Sequence, residues 1–452
     1  IDYRAMLLIA WPLFANSSLQ AVLNLTDTWF VGRISAEAVA AIGAVHWLAL
    51  AVILLLAGVG FAVQTLVAQS YGAGRFRRAA HVAWTGVWAA ALTVPLFVAV
   101  AWAGPWLVQA FGLTPAITAH AIDYWQPRLL GGAISVALWA LLSFFSGIGR
   151  TRVTLSINAV VALCNPFLNE LLMFRLGLGV AGAAWATSAA MVVGVAFGIT
   201  LFLHDGCRRR FATDRTWRPR WRRLGALFAL GIPMGLSIAF DLIAFALFQV
   251  MQVRLGPVPG AATQIVTMLT SVAFMPAVGL GMAGTTLVGQ SIGAGHPDWA
   301  QRLGNATIRL CAFYMVAIGV LVALLGPLLM PLFVGAHDPD ARAVVELGVT
   351  LLWIAACYQF FDGLNLGAGF ALRGAGDAKV PALILLLLSW GLFVPLVHVL
   401  TFAPGQGWIE ALPALGWGAT GGWAAAVVYV WLQGLLLTLR WRSRRWQSIR
   451  LR

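Results

Sequence analysis

The sequence predicts an all-α polytopic membrane protein whose twelve transmembrane helices form two parallel six-helix repeats. Three observations predict it. Of 452 residues, 61% are hydrophobic and only 10% are charged, against about 25% charged in a soluble domain. Apolar runs long enough to cross a bilayer as helices recur from end to end. A ten-residue string also occurs twice: Thr65–Gly74 reads TLVAQSYGAG and Thr286–Gly295 reads TLVGQSIGAG, identical at eight positions.

Polar breaks place the helices at residues 5–30, 39–68, 80–106, 119–147, 153–174, 179–204, 224–252, 260–289, 303–333, 343–372, 379–402 and 413–440. The first run flows into the pattern of the others, so it reads as a retained helix and not as a signal peptide. Basic residues set the orientation. Alternate loops hold Arg4; Arg75, Arg77 and Arg78; Arg150 and Arg152; eight arginines between Asp205 and Arg223; Arg302; Arg373 and Lys379; and six arginines after Leu439, 23 in all. The intervening loops hold four: Arg33, Arg175, Arg254 and Arg342. The positive-inside rule puts the first set, and both termini, in the cytoplasm. The formal charge of +14 is then a topology signal and an attraction to anionic lipid heads, not a nucleic-acid footprint. Residues 1–204 form one six-helix bundle, 205–223 an Arg-rich cytoplasmic linker, 224–440 the second bundle and 441–452 a basic cytoplasmic tail. Of four cysteines, Cys164, Cys311 and Cys357 lie in apolar runs and read as small buried residues; Cys207 lies in the polar linker. No metal-ligand spacing or disulfide framework appears, and no cofactor is expected.

The repeat extends beyond the ten-residue string. At an offset of 221 residues, Gly58–Gly74 matches Gly279–Gly295 at eleven of seventeen positions, Pro12 maps to Pro233 and Arg33 to Arg254. Further on the offset drifts, and Gly147-Ile-Gly149 corresponds to Gly374-Ala-Gly376. Six is even, so each copy begins and ends on one side of the membrane, and the copies are parallel repeats about an axis along the membrane normal. Two such bundles leave a cleft between them that rocking exposes to alternate sides. This favours a carrier over a receptor or scaffold.

The residues resemble a known family. Pro12, NLTDTWFVG (Asn24–Gly32), QSYGAG (Gln69–Gly74), and NPFLNELLMF (Asn165–Phe174) followed by GVAGAAWAT (Gly179–Thr187) are similar to the first, second, fifth and sixth helices of the multidrug and toxic compound extrusion (MATE) transporters. GIPMGLSIAFD (Gly231–Asp241), GTTLVGQSIGAG (Gly284–Gly295) and YQFFDGLNLGAGFALRGAGD (Tyr358–Asp377) look like the seventh, eighth and tenth. The resemblance covers nearly the whole chain. It implies a secondary active exporter in a bacterial inner membrane, a monomer surrounded by lipid. Such a protein antiports organic, mostly cationic and aromatic, drugs or metabolites against H⁺ or Na⁺.

Ionisable groups inside a span cost about 2.5–3.5 kcal/mol or more and usually have a function. Asp27 continues a stripe of Asn16, Gln20 and Asn24 on one face of the first helix, which suits it to exchange a proton. The resemblance gives Asp27 a part in H⁺ or Na⁺ coupling, and matches Asp241 and Asp362 to acids of the family's Na⁺-coupled branch. Two carboxylates converging from different helices suit a hard cation, a proton or a cationic drug. Gln249, Gln264, Gln359 and Asn365 are candidate ligands beside them, as are Gln20, Asn24, Asn165 and Asn169 in the first half. The family often pairs an Asn with an Asp four residues on in the fifth helix; here the pair is Asn165 and Asn169. Glu170 adjoins it, about 100° further around a helix. Whether Glu170 replaces the missing acid stays open at this level.

Gly72, Gly74, Gly293 and Gly295 end helices by accepting left-handed angles, and Gln69 and Gln290 cap or latch the adjacent loop. These motifs read as structural or gating. Pro12 and Pro233 each remove a helical hydrogen bond and permit a kink. Some of the 21 tryptophans and 25 phenylalanines would line the cleft and others the headgroup belts. The alternative reading, a flippase for lipid-linked saccharides, calls for cations within the cleft. Only Arg128 and Arg309 lie within spans, and both can reach a helix end. No enzyme motif appears.

Overall fold

In lipid every backbone N–H and C=O must be satisfied within its own segment, so long apolar runs dictate helix. The structure, a computed structural model, describes residues 3–110, 114–334, 337 and 339–451, excluding the side chains of residues 24, 25, 28, 32, 36, 37, 39, 40, 43 and 44; the described residues contain no strand. The helices are α1 (Tyr3–Gly32), α2 (Ala36–Gly72), α3 (Phe76–Trp102), α4 (Pro115–Leu130), α5 (Gly132–Gly147), α6 (Thr151–Asn169), α7 (Val180–Leu203), α8 (Asp205–Phe211), α9 (Trp221–Arg254), α10 (Pro257–Gly293), α11 (Pro297–Leu324), α12 (Ala341–Gly374), α13 (Lys379–Leu386), α14 (Val394–Thr401) and α15 (Gly418–Arg442). Among the described residues eleven helices, counting continuous stretches, are long and apolar enough to cross a bilayer, and α4 with α5, bent by 45°, makes a twelfth if counted as one span. Two spans widen into π-helix, at Glu170–Arg175 after α6 and at Leu387–Phe393 between α13 and α14.

In the first half α2 packs on α3 and α5, and α1 on α6; in the second, α12 packs on α10, α11 and α15. Between the halves, α1 packs on α10 and α9 on α2, two pairs that the repeat interchanges. Glycine makes these crossings possible. A Cβ on Gly58 would overlap the backbone of Gly231 and Gly235, and one on Gly279 would lie 2.6 Å from the Leu13 carbonyl oxygen. Pro12 is buried next to Leu13, and Pro233 sits between Gly231 and Gly235, so these two repeat-related prolines lie where the halves cross.

The linker is folded onto the first half. Three side chains of one α3 face hold it: Trp84 Nε1 donates to the Thr213 carbonyl (2.7 Å), Trp88 Nε1 to the Trp217 carbonyl (2.6 Å), and a His81 ring nitrogen lies 3.1 Å from the Arg218 carbonyl. The short amphipathic α8 turns Cys207 and Phe211 into a core with Phe144 and Phe202. The cysteine expectation is therefore corrected: Cys207 is buried and Cys357 is exposed, while Cys311 is buried and Cys164 half-buried. A polar linker can still bury one face, and an apolar helix has an outer face as well as a core face. Burial pushes the Cys207 thiol up, against the opposing pull of Arg150. At the other end of the chain Trp441 and Trp446 stack at 4.5 Å, and Arg440 pairs with the buried Asp377 at 2.7 Å.

Candidate functional site

The twin strings meet each other's half. The last turn of a helix leaves carbonyls without intrahelical donors. At the end of α12, the Arg373 carbonyl accepts from Thr65 Oγ1 (2.8 Å) and the Gly374 carbonyl from Gln69 Nε2 (3.0 Å). At the end of α5, the Ser146 carbonyl accepts from Thr286 Oγ1 (2.8 Å) and the Gly147 carbonyl from Gln290 Nε2 (2.9 Å). Each half thus caps a helix of the other with the same Thr and Gln of the repeated string. Gln64 Nε2 adds bonds to the Met282 carbonyl and Thr286 Oγ1, both at 2.9 Å. The glycines divide the work. Gly72 and Gly293 allow close approach, since a Cβ on either would overlap the backbone of Gln290 or Gln69 in the other half. Gly74 and Gly295 carry the left-handed turns, with φ of 70° and 82°.

Contacts between the halves lie along this seam and the adjoining stretches of α1, α2, α9 and α10, and also join α1 to α11 at Phe14 and Tyr314, α3 to α9, and Arg78 to the Leu451 carbonyl. The turns after α2, α5, α10 and α12 come together there.

Deeper in the first half, α1, α6 and α7 converge on Asp27. Its Oδ1 accepts from Asn169 Nδ2 (2.8 Å) and its Oδ2 from Thr187 Oγ1 (3.3 Å). Asn169 Nδ2 also reaches Asn165 Oδ1 at 3.0 Å, and both asparagines are fully buried. The helix widens into π geometry directly after Asn169, a distortion common at functional sites. Glu170 takes no part in this cluster; its carboxylate pairs with Arg33 at 3.1 Å, both groups half exposed. Asn16 bonds Asn158, and the two line a cavity of about 20 Å³ with Gln20, Trp139 and Met191. Gln20 is exposed, and the Asn24 side chain lies outside the described residues.

In the second half Asp241 of α9 accepts a hydrogen bond from the Tyr429 hydroxyl of α15. Phe393, from the π stretch, stacks on Tyr429 at 4.5 Å and fixes its ring. Asp362 of α12 accepts from Asn365 (3.4 Å), neighbours Tyr358, and lies near enough to Asp241 for the two charges to interact. Gln359 is buried on the same helix, packed over Gly319, with its Oε1 unpartnered. Gln264 is exposed and Gln249 half-buried, and among the described residues neither is hydrogen-bonded to the acids.

Sequence reasoning missed Tyr429, Tyr358 and Thr187. The chain has six tyrosines beside 21 tryptophans and 25 phenylalanines; a phenol within a span is the signal that was there to read. Arg309 is exposed, but Arg128 is not: it is 7% exposed, because α4 ends at a 45° bend into α5 and not at a free helix end.

A duplicated helical membrane protein, with a reciprocal seam and carboxylates inside each half, has the build of a membrane carrier. The MatE family model matches residues 12–171 and 233–399, one stretch in each half. The chain is 31% identical over 453 residues to the probable multidrug resistance protein NorM of Brucella suis biovar 1, covering 96% of this chain and 91% of that one. It is 32% identical over 455 residues to its Pseudomonas putida counterpart, covering 98% and 95%. The fold is similar to that of MATE in complex with MaL6, with a TM-score of 0.84 at 20% identity over 97% of this chain and 95% of the other. It is equally similar, at TM-score 0.84 and 20% identity over the same shares, to an outward-facing multidrug resistance MATE family transporter of the MOP superfamily. The chain belongs to the MatE family and is an integral membrane transporter of the MATE type.

Proposed function

We propose that the protein is a multidrug exporter of the bacterial inner membrane, antiporting organic, mostly cationic and aromatic, compounds against H⁺ or Na⁺ by alternating access. The observation that carries this reading is the pairing of a reversible seam with half-buried carboxylates inside each half. The seam is built from side-chain caps on helix ends, each a net contribution of about 1 kcal/mol, so it can open and close at modest expense. The turns that meet there bear the arginine-rich loops, which supports a cytoplasmic position for the seam and for both termini. With that end shut, the cleft would face outward.

Asp27, Asp241 and Asp362 would carry the coupling ion. Desolvation disfavours an isolated carboxylate, so each acid gains from a proton or a cation. Loading and unloading would then shift the balance between the two lobe arrangements, to the extent that the ion binds one arrangement better than the other. Asn165, Asn169 and Thr187 position Asp27; Tyr429, Tyr358, Gln359 and Asn365 surround the second pair. The test is drug efflux in proteoliposomes under separate H⁺ and Na⁺ gradients. Asp27→Asn, Asp241→Asn and Asp362→Asn should each impair gradient-driven transport while the protein still inserts; wild-type rates in all three would overturn the reading.

A further inference from the structure

Arg128 is a full charge, 7% exposed, in the interior of a half that spans the membrane. A charge in such a place is expensive and needs a counter-charge. Its Nη1 is buried with no hydrogen-bond partner among the described residues. Among the described residues the geometry leaves one candidate for the counter-charge. Arg128 lies one turn before Gly131, which abuts Ser188 of α7, and the neighbouring Thr187 donates to Asp27. Tyr124, one turn earlier on α4, shares a core with Phe30 and Val31 of α1 and lies 3.1 Å from His46 on α2. Arg128 is within electrostatic reach of Asp27, Tyr124 and His46. Of the other acids of this half whose side chains are described, Glu170 is held by Arg33 and Asp123 is exposed. Arg128 and Asp27 make no contact ion pair, so the positive charge balances the carboxylate without occupying its oxygens.

The Asp27 cluster supplies oxygen ligands, the Asn169 Oδ1 being buried and, among the described residues, unpartnered, but only one negative charge. Both carboxylate oxygens already accept, from Asn169 and Thr187, and position 169 is an amide that adds no charge. Asp27 and Arg128 together sum to zero.

We propose that Arg128 is the resident cation of the first half, a specificity-determining residue whose fixed charge keeps Na⁺ from binding at Asp27. The proposal rests on Asp27 being a coupling acid, but it is tested by equilibrium binding, which does not depend on transport. The probe is ²²Na⁺ on the purified full chain in detergent. Asp27→Asn in an otherwise native chain should leave ²²Na⁺ binding unchanged. Arg128→Gln should add one saturable Na⁺ site per chain, and the double variant Arg128→Gln/Asp27→Asn should lose it again. Arg128→Lys, which keeps the charge, should bind like the native protein. Arg128→Met, apolar and of similar length, serves if the glutamine variant does not insert. Loss of Na⁺ binding on Asp27→Asn alone, or no gain on removing the arginine charge, would overturn the proposal. Failure of the efflux assay with this binding pattern intact would instead count against the exporter reading.

Discussion

The two halves of this transporter agree at the seam and disagree at the acids. Thr65 and Gln69 in one half do to the end of α12 what Thr286 and Gln290 in the other do to the end of α5, with bonds of 2.8–3.0 Å throughout. Applying the same 221-residue offset to the acids breaks the likeness: Asp27 falls on Phe248, and Asp241 on Gln20. Phe248 is packed into the second core, whereas Gln20 lines a small cavity. Duplication has preserved the part of the molecule in which the copies touch one another. The reciprocal fit of Gly72 against Gln290 and Gly293 against Gln69 constrains both copies together. Among the described residues the acids are bonded only within their own halves, where no reciprocal fit ties one copy to the other.

If that division is real, the largest effects should come from the second half's acids. Asp241→Asn and Asp362→Asn should bring gradient-driven efflux down to the level of empty vesicles, with Asp27→Asn retaining more; a larger loss for Asp27→Asn would reverse the ranking of the halves. Next should come the seam glycines. Gly72→Leu and Gly293→Leu each force a side chain into the opposing backbone, and should trap the seam open to a comparable degree, measured as labelling of cysteines introduced at the seam by a membrane-impermeant reagent from the side the seam faces. Unequal responses would show that the two halves do not share it equally. Tyr429→Phe removes a donor to Asp241, a bond to a charged group worth about 1.5–3 kcal/mol; it should lower coupled efflux by roughly tenfold or more while the protein still inserts. Gln69→Ala and Gln290→Ala should each shift the open–closed balance by about fivefold, the equivalent of about 1 kcal/mol, and to the same extent. Smallest is a reactivity effect outside the membrane. Because burial raises the Cys207 thiol, its thiolate appears only at higher pH than that of a free cysteine, so alkylation at neutral pH should be slow and accelerate as pH rises; Cys357 is exposed and should depend on whether its face meets lipid or water.

Much of the architecture was legible in the sequence, because hydrophobic runs and arginine placement are properties of the chain alone. The seam was half legible. Two identical strings announce two identical local structures, but nothing in a repeat says that the copies touch, so Gln69 and Gln290 read as latches for their own loops when they cap helices across the seam. Gly72 and Gly293 read as turn glycines for the same reason, although the left-handed angles fall on Gly74 and Gly295. Asp27, Asp241 and Asp362 were found because acids are rare in apolar helices. Their partners were not, since a Tyr429 or a Thr187 in a span carries no charge to draw attention. Arg128 reads as a helix-end residue until the 45° bend after it is known, and a bend at a Gly-Gly step depends on what packs around it. Glu170 invites the role of a substitute acid by adjacency; its pairing with Arg33, 137 positions away, is tertiary information.

The most direct test of alternation is the width of the seam itself. Spin labels at the exposed positions of Arg77 and Arg302, read by pulsed dipolar spectroscopy in lipid, should give a short distance matching the closed seam and a longer one that gains population as proton or Na⁺ load changes. In Asp241→Asn and Asp362→Asn that response to the ion should vanish. A single distance, unmoved by ion, drug or either substitution, would contradict a mechanism in which two lobes tilt about this seam.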